Sequence, residues 1–197
     1  MRQGGRAVLG VGGNIGSGKT VVSRFFEEFG AFYLSADEIG WQVLSEIADQ
    51  LKGRFGEVIM DGEDVDRKML QSIVFSCEEN LTFLNKLSHP LLKRKILKRI
   101  NQITSGMIVI DAALLFDWPE ILKEIDYSIL ICSSSENKKE RVVKNGMGTH
   151  VFSQILRSQQ SETEMAKQAT YIINNNGTVQ ELKEQCHRIF EEIKNDC

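Results

Sequence analysis

Residues Gly13-Asn14-Ile15-Gly16-Ser17-Gly18-Lys19-Thr20 bring three glycines, a lysine and a threonine into one short segment. They complete the pattern G-x-x-x-x-G-K-[ST], the signature of a phosphate-binding loop. Glycines let the backbone curl until successive N–H groups point inward at phosphate oxygens. Lys19 would then reach the β- and γ-phosphates of a nucleoside triphosphate, and Thr20 would offer its hydroxyl to Mg²⁺. A helix opening at this point would add the partial positive charge of its N-terminus. Two carboxylates complete the chemistry. Asp111 closes the apolar run Val109-Ile110-Asp111, where a carboxylate can hold a magnesium shell. Asp37, in Leu34-Ser35-Ala36-Asp37, can take a proton from an attacking hydroxyl. Both also suit the plainer role of helix cap.

For these residues to meet, the chain must put them on one edge of a sheet. Apolar, mostly β-branched runs at 7–12, 107–110 and 127–132 read as strands, with shorter candidates at 31–34 and 170–173. Helical patterns at 21–29, 37–51, 67–75, 89–103, 136–145 and 179–193 separate them. Near-continuous apolar strands alternating with helices predict a parallel sheet covered on both faces, a doubly wound α/β fold of about five strands. All strand C-termini then share one edge, where ligands bind, and Asp37 and Asp111 fall beside the phosphate loop. The long stretch between Leu34 and Met107 predicts an inserted helical subdomain at 35–106, and residues 136–168 form a second helical excursion. The whole chain, 1–197, reads as a single domain with these two elaborations.

Composition narrows the function. The chain has 197 residues, 42% of them hydrophobic, with 24 basic against 27 acidic side chains and a net charge of −3. That balance argues against a general nucleic-acid binder or a polybasic membrane-surface protein. No apolar run approaches the roughly 18 residues that cross a bilayer, and Ala7-Val8-Leu9-Gly10-Val11, straight after Met1 to Arg6, is too short and too early for a signal peptide's apolar region, which predicts a cytoplasmic protein. Cys77, Cys132, Cys186 and Cys197 are scattered, with no metal-ligand spacing, and read as reduced thiols. The basic run Lys93-Arg94-Lys95-Ile96-Leu97-Lys98-Arg99 sits on a helix whose apolar stripe is Leu92, Ile96, Ile100 and Ile103, and it reads as a solvated face or as a contact for an acceptor's pyrophosphate. Oligomeric state is open at this stage.

Five segments in order resemble the dephospho-CoA kinase family: Gly12-Gly13-Asn14-Ile15-Gly16-Ser17-Gly18-Lys19, Ser35-Ala36-Asp37, Leu87-Ser88-His89-Pro90-Leu91, Asp111-Ala112-Ala113-Leu114-Leu115-Phe116-Asp117 and Asn174-Asn175-Asn176-Gly177. The resemblance implies a P-loop kinase core, a helical substrate-binding insertion and a helical lid. It implies transfer of the γ-phosphoryl group of ATP, with Mg²⁺, to the 3′-hydroxyl of dephospho-CoA. Carried over by position, it implies catalytic roles for Asp37 (the base), Lys19 and Arg141. Nucleotide contacts fall to Asn14, Ile15, Gly16, Ser17, Gly18, Lys19, Thr20, Val21, Asn175 and Gly177. Acceptor contacts fall to Gly12, Asp37, His89, Asp111 and Leu114, and the metal to Thr20 and Asp111. His89, ahead of Pro90, also reads as the start of a helix.

The chain departs from the family at several positions. Ser35 replaces an aspartate and Ala113 a proline. On the lid, Arg141 remains, but Asn145, Glu162 and Met165 stand where the family has arginines. All three read as surface lid positions, where arginine could be restored without harm to folding. Lys138, Lys139, Lys144 and Lys167 are the nearby cations that could compensate, as point charges without the bidentate fork. The P-loop core alone would also suit a kinase for another small acceptor, and the missing arginines a nucleotide-binding regulatory protein.

Overall fold

In the computed structural model, which describes residues 5–196, the chain separates into two compact units, Asp37–Ile96 and the remainder. The residues before Gly5, from which the N-terminal reading began, and Cys197 lie outside the described residues.

The larger unit is built on a parallel five-stranded sheet. Its strands are β1 (Arg6–Gly12), β2 (Phe32–Ser35), β5 (Gly106–Asp111), β6 (Tyr127–Cys132) and β7 (Tyr171–Asn174), in the order β2-β5-β1-β6-β7. All five expected strands are present. The central strand β1 is buried from Ala7 to Gly12, as a strand covered on both faces must be. Its register sets Val11 beside Asp111, and β2 sets Ser35 against the same residue from the other side. Helix α1 (Lys19–Glu28) buries Val22, Phe25 and Phe26, a three-to-four residue spacing that makes one apolar stripe. The last helix, α10 (Val179–Asp196), answers with Leu182, Cys186, Phe190 and Ile193. Phe29 stands 5.4 Å from Phe190, ring to ring, and the two helices share one core with β1, β6 and β7.

The smaller unit is helical. It begins at the second residue of α2 (Ala36–Glu46) and continues through α3 (Ala48–Phe55). A hairpin of β3 (Met60–Asp61) and β4 (Asp64–Val65) follows, then α4 (Arg67–Ser76) and most of α5 (Glu78–Gln102). The hairpin turns on Gly62, whose φ of 64° suits the first position of a type II′ turn. Asp66 caps α4 by accepting from the N–H groups of Lys68 and Met69 at 2.9 and 3.1 Å.

Two helical expectations need correction. The stretch 37–51 is two helices that meet at the buried Ile47. The helix expected to start at His89 starts at Glu78, and Pro90 lies inside it. The residue before a proline is biased away from helical backbone, which is why the sequence suggests a boundary there. The apolar spacing continues upstream through the half-buried Leu84 and Leu81, however, and burial of Leu92, Ile96 and Ile100 on the same helix offsets the one hydrogen bond that Pro90 cannot donate.

The segment after β6 holds α7 (Ser135–Lys144), α8 (Thr149–Ser158) and α9 (Glu162–Ala166). Between β5 and β6 lie a single 3₁₀ turn, Leu115–Asp117, and the short α6 (Pro119–Leu122). Among the described residues no helix is long and apolar enough to cross a membrane.

Candidate active site

The loop from Gly13 to Gly18 joins the C-terminal end of β1 to the N-terminus of α1. Gly16 and Gly18 have φ of 75° and 100°, left-handed conformations that favour glycine. Space is equally short: a Cβ on Gly16 would stand 2.6 Å from the Lys138 carbonyl oxygen, and one on Gly18 would strike the Asn175 amide. Gly18 caps α1 without a side-chain acceptor, so the helix presents its leading N–H groups toward the loop. Those N–H groups and the helix dipole together make an anion site. Lys19 Nζ donates to the Asn14 carbonyl across the loop at 3.1 Å. The Ser17 hydroxyl is buried here with no partner among the described residues.

Thr20 and Asp111, 91 residues apart in sequence, meet directly: Thr20 Oγ1 donates to Asp111 Oδ2 at 2.7 Å. Two hard oxygen ligands, one of them a carboxylate, fit Mg²⁺, which binds through one or two protein oxygens plus phosphate and water. Sequence reasoning missed a third member. Tyr33 donates from its hydroxyl to the same Oδ2 at 3.3 Å. Burial pushes the Tyr33 phenol above its ordinary range, and the neighbouring Asp111 carboxylate adds to the shift, so it stays a donor. The Arg24 guanidinium covers the Tyr33 ring at 3.9 Å. The period of two along β2 puts Tyr33 on the face of Ser35, which pairs with Asp111; that alternation was the available signal.

A second layer braces the loop from beneath. Arg141, on α7, donates to the carbonyls of Gly16 (3.2 Å), Ser17 (3.3 Å) and Asn175 (2.8 Å) and to the Ser133 hydroxyl (3.1 Å). Asn175 is buried, and its amide donates to the Ser17 carbonyl at 2.7 Å. From the other side Gln159 accepts from the Ile15 N–H at 2.9 Å and from the Asn14 amide at 3.4 Å, and Asn14 also donates to the Gln160 carbonyl at 3.0 Å. The carbonyls of Asn14, Gly16 and Ser17 thus all accept hydrogen bonds from within the protein. Of the remaining nucleotide and acceptor candidates in this unit, Val21 is exposed on α1, Leu114 is half-buried after β5 and Gly177 is exposed before α10.

The lid positions correct one expectation. Asn145 is exposed, but Met165 is only 3% accessible. Glu162 forms an ion pair with Lys138 at 2.7 Å, in which the lysine side chain is 6% and the glutamate 29% exposed. Arginine at all three positions is therefore not neutral for folding. Lys167 pairs with Glu164 at 2.7 Å, whereas Lys139 and Lys144 are exposed. Burial, with Glu162 nearby, pushes the Cys132 thiol up to about 11.

In the helical unit, Asp37 lies exposed in the first turn of α2 and lines a cavity of about 490 Å³. His89 is half-buried within α5. Among the described residues no three His, Cys, Asp or Glu side chains gather as a metal cluster.

Comparison with known proteins agrees with this arrangement. The family model for dephospho-CoA kinase matches residues 7–181. A dephospho-CoA kinase of Aquifex aeolicus is 34% identical over 95% of this chain and 98% of its own length. One of Dehalococcoides mccartyi is 35% identical over 89% of this chain and 92% of its own. A solved structure from Thermus thermophilus superposes with a TM-score of 0.78 at 25% identity, covering 95% of this chain and 98% of that one. With a phosphate loop, a paired threonine and aspartate, and this match over nearly its full length, the chain belongs to the dephospho-CoA kinase family.

Proposed function

We propose that this chain performs the family's reaction, with ATP as phosphoryl donor and the 3′-hydroxyl of dephospho-CoA as acceptor, giving coenzyme A and ADP. The observation that carries the reading is the Thr20–Asp111 pair, set at 2.7 Å beside a glycine-built loop that opens a helix. The loop N–H groups from Asn14 to Thr20 and the Lys19 ammonium hold the β- and γ-phosphates. Thr20 and Asp111 would hold Mg²⁺, which when bound neutralises charge on the phosphate oxygens. Tyr33 keeps the Asp111 carboxylate turned toward Thr20. Arg141, committed to loop carbonyls, acts as a positioning residue under the phosphates. Asn175 and Gly177 flank the nucleotide's base. Asp37 accepts the proton of the 3′-hydroxyl as that oxygen bonds to the γ-phosphorus; the bond to the β–γ bridging oxygen breaks and ADP leaves. Gly12, Leu114 and His89 shape the acceptor's surroundings, residues 35–106 serve as the acceptor-binding insertion and 136–168 as the lid. The acidic charge balance, with 27 acidic against 24 basic side chains, supports work in the cytoplasm.

A coupled ADP-release assay with ATP and a panel of hydroxyl acceptors tests this. Turnover is expected with dephospho-CoA and not with shikimate, simple nucleosides or sugars. Turnover on another acceptor with none on dephospho-CoA overturns the reading.

A further inference from the structure

Helix α8 ends at Ser158, and Ser161 caps α9 by accepting from the Glu164 N–H at 3.2 Å, so Gln159 and Gln160 form the link between the two helices. Gln159 has extended backbone there, with φ −89° and ψ 153°. Its side chain crosses to the phosphate loop and accepts from the Ile15 N–H at 2.9 Å. Asn14, only 3% accessible, secures the same meeting by donating from its amide to the Gln160 carbonyl at 3.0 Å. The Ile15 N–H and the Asn14 carbonyl belong to one peptide group. That carbonyl is the one that accepts from Lys19 Nζ at 3.1 Å.

We infer that Gln159 is a positioning residue for Lys19, acting through the Asn14–Ile15 peptide. The inference rests on the reading of Lys19 as the cation of the phosphate site. The peptide is trans, and in a planar trans peptide the N–H and C=O point in opposite directions. An acceptor that fixes the N–H therefore aims the carbonyl, on the other side of the plane, at the ammonium. Lys19 opens α1, so the helix holds its backbone, but its side chain is a long flexible stem. One directed acceptor reduces that freedom, and an ammonium with three N–H donors can keep it while donating to phosphate. No non-glycine residue among those described has a positive φ, and a half-turn of the peptide would carry the β-branched Ile15 there. Loss of Gln159 therefore tilts the plane rather than flipping it, and its effect on Lys19 is graded rather than total. The Gln160 side chain has a different partner, since it donates to the Phe116 carbonyl at 3.4 Å, outside the loop.

Calorimetry with ADP on the full chain tests this, because ADP binding uses the loop and Lys19 but no acceptor. Gln159→Leu is expected to weaken ADP by about fivefold to tenfold, the size of one hydrogen bond, and by less than Lys19→Ala does. Gln159→Met, equal in reach and also without the amide, should match it and guards against a folding fault in the leucine variant. Gln160→Ala should leave ADP affinity within about twofold of the parent. The deciding measurement is the double variant. In a Lys19→Ala background, Gln159→Leu should change ADP affinity by less than about twofold, since the group it positions is gone. A merely structural role would carry its loss into that background undiminished. A second loss as large as the first, unchanged affinity in both Gln159 variants, or an equal loss from Gln160→Ala overturns the inference. Equal ADP affinity in Lys19→Ala and the parent refutes the reading of Lys19, and the inference with it. A Gln159 effect that depends on Lys19, in a protein that transfers nothing to dephospho-CoA, refutes the proposed acceptor and leaves the role of Gln159 standing.

Discussion

Under the phosphate loop and in the α7–α9 segment, both in the sheet unit, Arg141 and Lys138 are partnered in opposite ways. Under the loop, Arg141 is held by three carbonyls and a hydroxyl, and Lys19 reaches the Asn14 carbonyl. Neutral acceptors fix the Arg141 guanidinium without cancelling its charge, so a positive charge stays beneath the loop. At the lid, Lys138 is paired with Glu162 and Lys167 with Glu164. The buried Lys138 serves as a strut whose charge Glu162 balances, whereas the Lys167–Glu164 pair is exposed at i,i+3 spacing and holds little. Glu162 is thus part of a largely buried contact that ties α9 to α7. The difference teaches that nearness to a catalytic loop does not make a lysine a catalytic cation; its partner decides. Of the four lysines named by sequence, Lys139, Lys144 and Lys167 are exposed and Lys138 is buried.

The largest effect expected from breaking this contrast is on the loop side. Lys19→Ala removes the point charge between the phosphates and should lower transfer by about 10³-fold or more, the range that one phosphoryl-facing cation commands. ADP affinity measured by calorimetry should fall with it. Equal ADP affinity in variant and parent would remove Lys19 from the phosphate site.

On the lid side the expected effect is on stability. Glu162→Arg leaves the Lys138 ammonium buried and faces it with a second cation. Breaking one side of a buried pair costs about 3 kcal/mol or more, which for a chain of this size lowers Tm by about 6–12 °C. Asn145→Arg, at an exposed position, should move Tm by no more than about 2 °C. Similar melting of the two variants would show that the Lys138–Glu162 contact is not a strut.

Much of this geometry was legible in the sequence, and the parts that were not share a cause. The phosphate loop is a local pattern. The Thr20–Asp111 contact follows from topology, because parallel strands end on one edge. Even so, the strand order could not be read, since it depends on which strands pair and not on their own residues. Gln159 and the carbonyl acceptors of Arg141 were invisible for the same reason, since each contact joins segments far apart in the chain. Tyr33, by contrast, left a trace in the alternation along β2. Met165 misled because it sits in the polar run Ser161-Glu162-Thr163-Glu164, which looks like surface. Its side chain is buried because the short α9 lies against β6. Pro90 misled in the opposite direction, as a local breaker overridden by a long apolar stripe.

A smaller effect sharpens the contrast. If Lys139 and Lys144 supply the lid's remaining charge, replacing both by alanine should lower turnover severalfold and flatten its dependence on added salt, since exposed charges are screened over about 8 Å at physiological ionic strength. Lys167→Ala, whose partner is Glu164, should change neither. Equal losses from both variants would show that a carboxylate partner makes no difference to what an exposed lysine contributes here.

The smallest effect concerns the thiols. Burial pushes Cys186 up to about 12 and Cys132 up to about 11, so both stay protonated near neutral pH. The folded state holds these protons where the unfolded chain, with thiols near 8.5, releases them. Their contribution to stability is thus intact below about pH 8.5 and declines as pH rises toward 11–12. Alkylation mapped residue by residue at pH 8 should mark the exposed Cys77 in the folded protein and spare Cys186. Fast modification of Cys186 would contradict its place in the core.

The central claim is a division of labour, in which the glycine loop holds the nucleotide and Asp37 of the helical unit serves the acceptor. Single-turnover transfer to dephospho-CoA by Asp37→Asn, at ATP concentrations shown by calorimetry to saturate the variant, tests it most directly. The account predicts unchanged nucleotide affinity and a transfer rate lower by about 10²-fold or more, the usual yield of general-base catalysis. Transfer at the parent's rate would contradict it and leave Asp37 as a residue of the first helical turn.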